Sequence, residues 1–166
     1  EYYSHDSSYL LPVRPSPNLP TQQAIRLYPS TCFFEGTVIS EGRGTMHPFE
    51  VFGHPDLPYR FSFTPRPIEG MESRPKLMGQ ECFGKDLREF EPEQGWTRLY
   101  LQWLMDAYQA MPRKEGFFTP HFDRLAGTDQ LRKQIIAGAT EEEIRTSWQR
   151  DLQQYMPIRK KYLLYE

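Results

Sequence analysis

An α+β fold is expected, with a small mixed sheet, helices concentrated in the C-terminal half, and a proline-rich extended arm at the start. Three observations predict it. Of the 15 prolines, 12 lie in residues 1–95, and Pro12, Pro15, Pro17 and Pro20 crowd the beginning. Short alternating or β-branched apolar runs occupy the first half, where proline forbids long helices. Apolar residues recur at three and four from Trp96 onward, the spacing of one helix face. The order of these patterns is not a βαβ series, which leaves α+β.

Residues 1–20 read as an arm or inter-domain connection, because proline at that density favours extended backbone. Residues 21–166 read as the domain. Thr21 offers an N-cap to a short helix with Ala24, Ile25 and Tyr28 on one face, ending before Pro29. Residues 32–39 are apolar enough for a strand, followed by the turn Glu41-Gly42-Arg43-Gly44-Thr45. Tyr59, Phe61 and Phe63 alternate with polar residues as in a half-buried strand. A further strand is expected over residues 82–87.

In the second half, Trp96, Leu99, Tyr100, Trp103, Ala107 and Met111 predict a helix over 96–111. Thr128 can cap a helix carrying Leu131, Ile135 and Ile136, with Gly138 to end it. Thr140 and Glu143 form a capping box ahead of Ile144, Trp148, Leu152 and Tyr155, with Pro157 as the stop. Glu141 and Glu142 suit the positive end of that helix. Residues 161–166 suggest a closing strand.

The 166 residues are enough for one domain or two very small ones. Hydrophobic residues are only 38%, but 11 Phe, 10 Tyr and 3 Trp supply large buried areas and argue against disorder. Twenty basic and 22 acidic side chains leave a net charge of −2, which argues against a nucleic-acid module. No apolar run approaches the roughly 20 residues a spanning helix needs. The start at Glu1 shows no charged n-region or apolar h-region, so no targeting peptide is expected; a processed product and a piece of a longer polypeptide both fit. Cys32 and Cys82 leave a disulfide and two free thiols open.

The densest chemical cluster is Glu35-Gly36-Thr37 with Ser40-Glu41-Gly42-Arg43-Gly44-Thr45. Alternate glycines let backbone amides approach a ligand, and the Arg43 fork suits a carboxylate or phosphate. Glu35, Thr37, Ser40 and Thr45 can hydrogen-bond sugar-like hydroxyls. The same residues also fit a tight β-turn whose arginine pairs with a neighbouring glutamate. The turn lacks the Lys-Ser/Thr pair of a Walker loop and the third glycine of a dinucleotide fingerprint, so no cofactor is expected. Glu35 and Glu41 can be written as a glycosidase pair, although nothing in their spacing requires it. His47, His54 and His121 lie in presumed loops without metal-ligand spacing, and no metal is expected. Tyr2, Tyr3 and Tyr9 can stack on sugar or pack.

These pieces resemble the C-terminal part of exo-β-N-acetylmuramidases of the NamZ type, formerly a bacterial domain family of unknown function. The resemblance rests on Ser16-Pro17-Asn18-Leu19-Pro20, Tyr28-Pro29, Phe34-Glu35-Gly36-Thr37, Ser40 with Gly42-Arg43-Gly44-Thr45, and Pro48-Phe49-Glu50. Phe122-Asp123, Gly127-Thr128 and Tyr162-Leu163-Leu164-Tyr165 complete it in family order, and Val38 stands where the family pattern has asparagine. The resemblance implies a larger N-terminal Rossmann-like domain of the same polypeptide, which carries the catalytic glutamate, and a cleft between the two. It implies removal of N-acetylmuramic acid from the non-reducing end of peptidoglycan chains, in the periplasm or outside the cell. Arg43, Glu35, Ser40, Thr45 and Asn18 become the substrate-binding candidates. A stand-alone carbohydrate-binding module and a structural or interaction domain are the alternatives.

Overall fold

The computed structural model describes residues 9–93 and 95–164. Five helices are present among them: α1 (Gln22–Thr31), α2 (Gln102–Ala110), α3 (Phe122–Ala126), α4 (Gln130–Ile136) and α5 (Glu141–Lys160). Three strands, β1 (Val51–His54), β2 (Phe61–Phe63) and β3 (Cys82–Asp86), form one sheet in the order β1-β3-β2, and both pairings are antiparallel. The α+β class and the concentration of helices in the C-terminal half hold. Residues 9–20 contain no helix or named strand, and the isolated Ser16–Leu19 bridge closes a tight turn within them.

Several elements differ from expectation. Residues 32–39 are not a strand: Cys32–Gly36 is a 3₁₀ turn, and Thr37 and Ser40 make single bridges to Phe118 and Gly53. Adjacent Phe33 and Phe34 are both buried, each against a different part of the core. In the turn, Phe34 stacks on Phe52 at 4.5 Å and Phe33 meets Phe122 at 6.0 Å. β1 was not anticipated, and β3 proves to be the central strand. α1 runs through Pro29 to Thr31, with Thr21 capping it as expected through a 2.9 Å bond from the Ala24 amide.

The helix expected from residue 96 begins only at Gln102. The Tyr100 amide is taken by Ser30 Oγ at 2.9 Å, and Phe90, Trp96, Tyr100 and Trp103 pack as an aromatic group partly outside the helix. Gly138 adopts φ +77° just beyond α4. The Thr140–Glu143 capping box is present, but α5 passes Pro157 and ends at Lys160. Its lost hydrogen bond would have gone to Gln153, which is exposed, so water can satisfy that carbonyl. Residues 161–164 form no strand; Lys161 and Tyr162 close the helix end by bonding to Ile158 and Arg159. Tyr2, Tyr3, Tyr165 and Glu166 lie outside the described residues.

The core joins Leu27, Phe34, Ile39, Phe52, Leu104, Phe117, Phe122 and Ile144. Cys32 and Cys82 are free thiols, and burial pushes each up to about 11. At the centre of the sheet, Gly84 faces Gly53 across β1, and a methyl group there would run into the carbonyl oxygen of Phe52. Gly84→Ala should therefore cost at least about 3 kcal/mol of stability in urea denaturation followed by tryptophan fluorescence.

Candidate functional site

The chain between the 3₁₀ turn and β1 is irregular, so its polar backbone must find partners elsewhere. Gly42 and Gly44 sit at φ +82° and +81°, where a side chain would be strained. A Cβ on Gly44 would also meet Pro75 at 2.5 Å, and the Gly44 carbonyl accepts from the Arg66 amide at 2.8 Å. Gly44 thus admits a neighbouring loop, residues 64–81, where the sequence suggested room for a ligand, while Gly42 packs against Val51 and the His47 carbonyl. That loop carries Glu72, Arg74 and Lys76 to the turn.

Lys76 donates to the carbonyls of Phe34, Thr37 and Ile39 at 2.9, 3.0 and 2.8 Å. Its ammonium also pairs with the buried Glu41 carboxylate at 3.0 Å. Glu41 lies 3.7 Å from Arg43 Nε, and Arg43 Nη2 donates to Glu35 at 3.0 Å. Arg43 Nη1 faces Glu72 at 3.9 Å, an ion pair too long for a hydrogen bond. The guanidinium stands 5.3 Å over the Phe49 ring, a cation–π contact. Phe49 itself adopts φ +64° and donates its amide to the Glu41 carbonyl at 2.7 Å. A left-handed aromatic residue is strained, and here it places the ring under Arg43.

These groups enclose a cavity of about 280 Å³ lined by Glu35, Glu41, Arg43, Glu72, Arg74, Lys76 and His121. Its lining side chains are all charged or titratable, which suits a polar ligand with hydroxyl and carboxylate groups. Burial pushes the Glu35 carboxyl above its ordinary value; Arg43 opposes the shift and Glu41 adds to it. A larger hollow of about 590 Å³ lies beside Val38, His54, Asp56 and Arg113. Arg113 and Glu115 on its wall are exposed, and no network comparable to that around Arg43 orders it. The charged cavity is therefore the candidate site.

The sequence candidates divide. Arg43 and Glu35 meet in the cavity. Ser40 is buried, and its Oγ accepts from the Gly42 amide at 3.3 Å. Thr45 Oγ1 donates to the Gly42 carbonyl at 2.7 Å and accepts from the His47 amide at 3.0 Å, so both hydroxyls hold the turn. Asn18 belongs to the arm; its amide donates to Ser16 Oγ at 3.2 Å, and its buried Oδ1 has no partner. It is not among the cavity residues. Glu72, Arg74, Lys76 and His121 were missed because only tertiary packing brings their loops to the turn.

An α+β domain with a charged pocket built on a glycine turn defines the class. The chain belongs to the family described as exo-β-N-acetylmuramidase NamZ, C-terminal, whose model matches residues 26–165. It is 34% identical over 177 residues to the peptidoglycan β-N-acetylmuramidase NamZ of Bacillus subtilis, covering 96% of this chain and 42% of that protein. A crystal structure of a DUF1343 family protein from Bacteroides fragilis superposes with a TM-score of 0.92 at 44% identity, covering 99% of this chain and 47% of that one. A second DUF1343 structure from the same organism shares the fold, with a TM-score of 0.72 at 16% identity and 49% of its length covered. In each case this chain spans less than half of the relative.

Two outcomes test the site. Lys76→Met strands the Thr37 and Ile39 carbonyls and the Glu41 carboxylate, and should cost about 2–4 kcal/mol in urea denaturation, somewhat under the value for a wholly buried pair because Lys76 is partly exposed. The folded chain holds the Glu35 proton more tightly than the unfolded chain does. Stability should then fall as pH rises from the ordinary carboxylate value through Glu35's raised one. Glu35→Gln should remove that slope in denaturation curves measured across the interval.

Proposed function

We propose that this domain completes the substrate cleft of a two-domain exo-β-N-acetylmuramidase acting at the non-reducing end of peptidoglycan-derived saccharides. The observation that carries the proposal is Arg43, held over Phe49 by Glu35 and Glu41 with Nη1 making only a long 3.9 Å ion pair to Glu72, at the edge of a cavity of about 280 Å³. That volume sits near the ~300 Å³ lower end of small-ligand pockets and matches a single sugar rather than a long chain.

N-acetylmuramic acid differs from N-acetylglucosamine by a lactyl ether bearing a carboxylate. A charge-assisted bond from Arg43 to that carboxylate is worth about 1.5–3 kcal/mol, or roughly ten- to a hundredfold in discrimination. Glu35 holds the guanidinium in place, and Arg74 and His121 face sugar hydroxyls. Ser40 and Thr45 act through the turn they fasten, and Asn18 through the arm. The principal catalytic carboxylate comes from the Rossmann-like domain on the N-terminal side. A peptidoglycan substrate places the protein in the periplasm or outside the cell.

The test is release of N-acetylmuramic acid from a chromogenic β-muramide by this chain and by the longer polypeptide. Turnover is expected only from the longer form. In that form Arg43→Ala should lower kcat/KM on the muramide by roughly ten- to a hundredfold, and on the matching glucosaminide much less. Equal losses on both would make Arg43 a structural residue. Turnover by the 166 residues alone would refute the half-site and turn attention to Glu35 and Glu41 as an acid–base pair.

A further inference from the structure

α5 continues beyond the core on which it packs. At about 100° per residue, Ile144, Trp148, Leu152, Tyr155 and Ile158 fall within about 120° of arc on α5, an arc shared by Asp151 and Arg159, with Met156 at its edge and Tyr162 just past the helix end. The start of that face is covered: Ile144 is fully buried and Trp148 packs against the core. The rest is not. Leu152 is 44% exposed, Tyr155 55%, Met156 52%, Ile158 52% and Tyr162 79%. From Leu152 to the helix end at Lys160 the uncovered stretch is about 12 Å long, with Arg150, Gln153 and Gln154 on its polar side. In the arm, Leu10 and Val13 are also exposed, at 77% and 74%.

An apolar stripe that starts in one core and runs on in the same register is half of a second packing surface. We propose that the uncovered face of α5 docks the remainder of the longer polypeptide, the domain on the N-terminal side of this one; the inference rests on the two-domain reading above. The comparisons favour this occupant, because the three relatives are covered to only 42%, 47% and 49% by the part matching this chain. The family description places that part at the C-terminal end.

Area also separates the candidates. A stable dimer needs about 800 Å² from each partner, more than five side chains of one helix supply. Inter-domain contacts within one chain hold from about 600 Å² in total, because the tether keeps the partner at roughly millimolar effective concentration. Tyr155 and Met156 are residue types enriched in such interfaces.

The experiment is thiol labelling of Leu152→Cys in the longer polypeptide and in the 166-residue chain. The native thiols Cys32 and Cys82 are pushed up to about 11 and supply a slow background that the unsubstituted proteins measure. Labelling at position 152 should be at least about tenfold slower in the longer polypeptide, and adding Tyr155→Glu should restore the fast rate. Equal rates in the two proteins would overturn the proposal. Protection in the 166-residue chain that grows with its concentration would do so as well, assigning the face to a second copy. The readout needs no turnover, so a failed muramidase assay with protection intact would refute the catalytic reading alone.

Discussion

The Lys76 ammonium satisfies a stretch of chain that has no ladder of its own. Between the 3₁₀ turn and β1 the backbone is largely irregular, and its Thr37 and Ile39 carbonyls converge with that of Phe34, from the turn itself, on this single cation. The same ammonium neutralises Glu41, whose carboxylate is almost wholly buried. Without it, a buried anion and the Thr37 and Ile39 carbonyls would lose their partner together, each at a cost larger than the bond it now makes, while Phe34 would keep the Thr37 amide and hydroxyl. Arg43 depends on that arrangement at one remove. Glu41 and Glu35 flank its guanidinium, and the Phe49 ring lies beneath it. One lysine from a remote loop therefore orders both the backbone and the charges of the site.

The site is tied to the core through the same short segment. Phe34 stacks on Phe52 of β1, while its carbonyl accepts from Lys76. Gly36 lies so close to Phe122 that a Cβ would stand 2.5 Å from that residue's Cα. The 3₁₀ turn is thus clamped between the sheet and α3, and Glu35 is carried on it. Thr21 extends the linkage, capping α1 while donating to the buried carboxylate of Glu50 at 2.5 Å. Glu50 also meets His47 Nδ1 at 3.1 Å, next to the glycine turn.

What the sequence revealed follows from the range of the forces involved. The Thr140–Glu143 box and Gly138 act within one helical turn, so their spacing was sufficient. The alternation through Phe61 and Phe63 located β2 for the same reason. Phe33-Phe34 was misread because a run of apolar residues does not state how many sides are buried. Trp96, Leu99 and Tyr100 kept helical spacing while packing as a loop, since Ser30 claims the Tyr100 amide from 70 residues away. In the site, Arg43 and Glu35 were legible from eight residues' separation and a turn. Lys76, Glu72 and His121 were not, because no local pattern records which loop will lie across Gly44.

The pocket's charges set how strongly Arg43 can attract an anion. Three acidic groups, Glu35, Glu41 and Glu72, face three basic ones, Arg43, Arg74 and Lys76, so the lining is nearly balanced before any ligand arrives. The Arg43 side chain is 29% exposed, and water still screens its attraction for an anion. On the half-site reading, a domain seated across the cleft excludes that water and strengthens every contact Arg43 makes. A muramic carboxylate would then gain most from the covered state, whereas a neutral sugar would gain little.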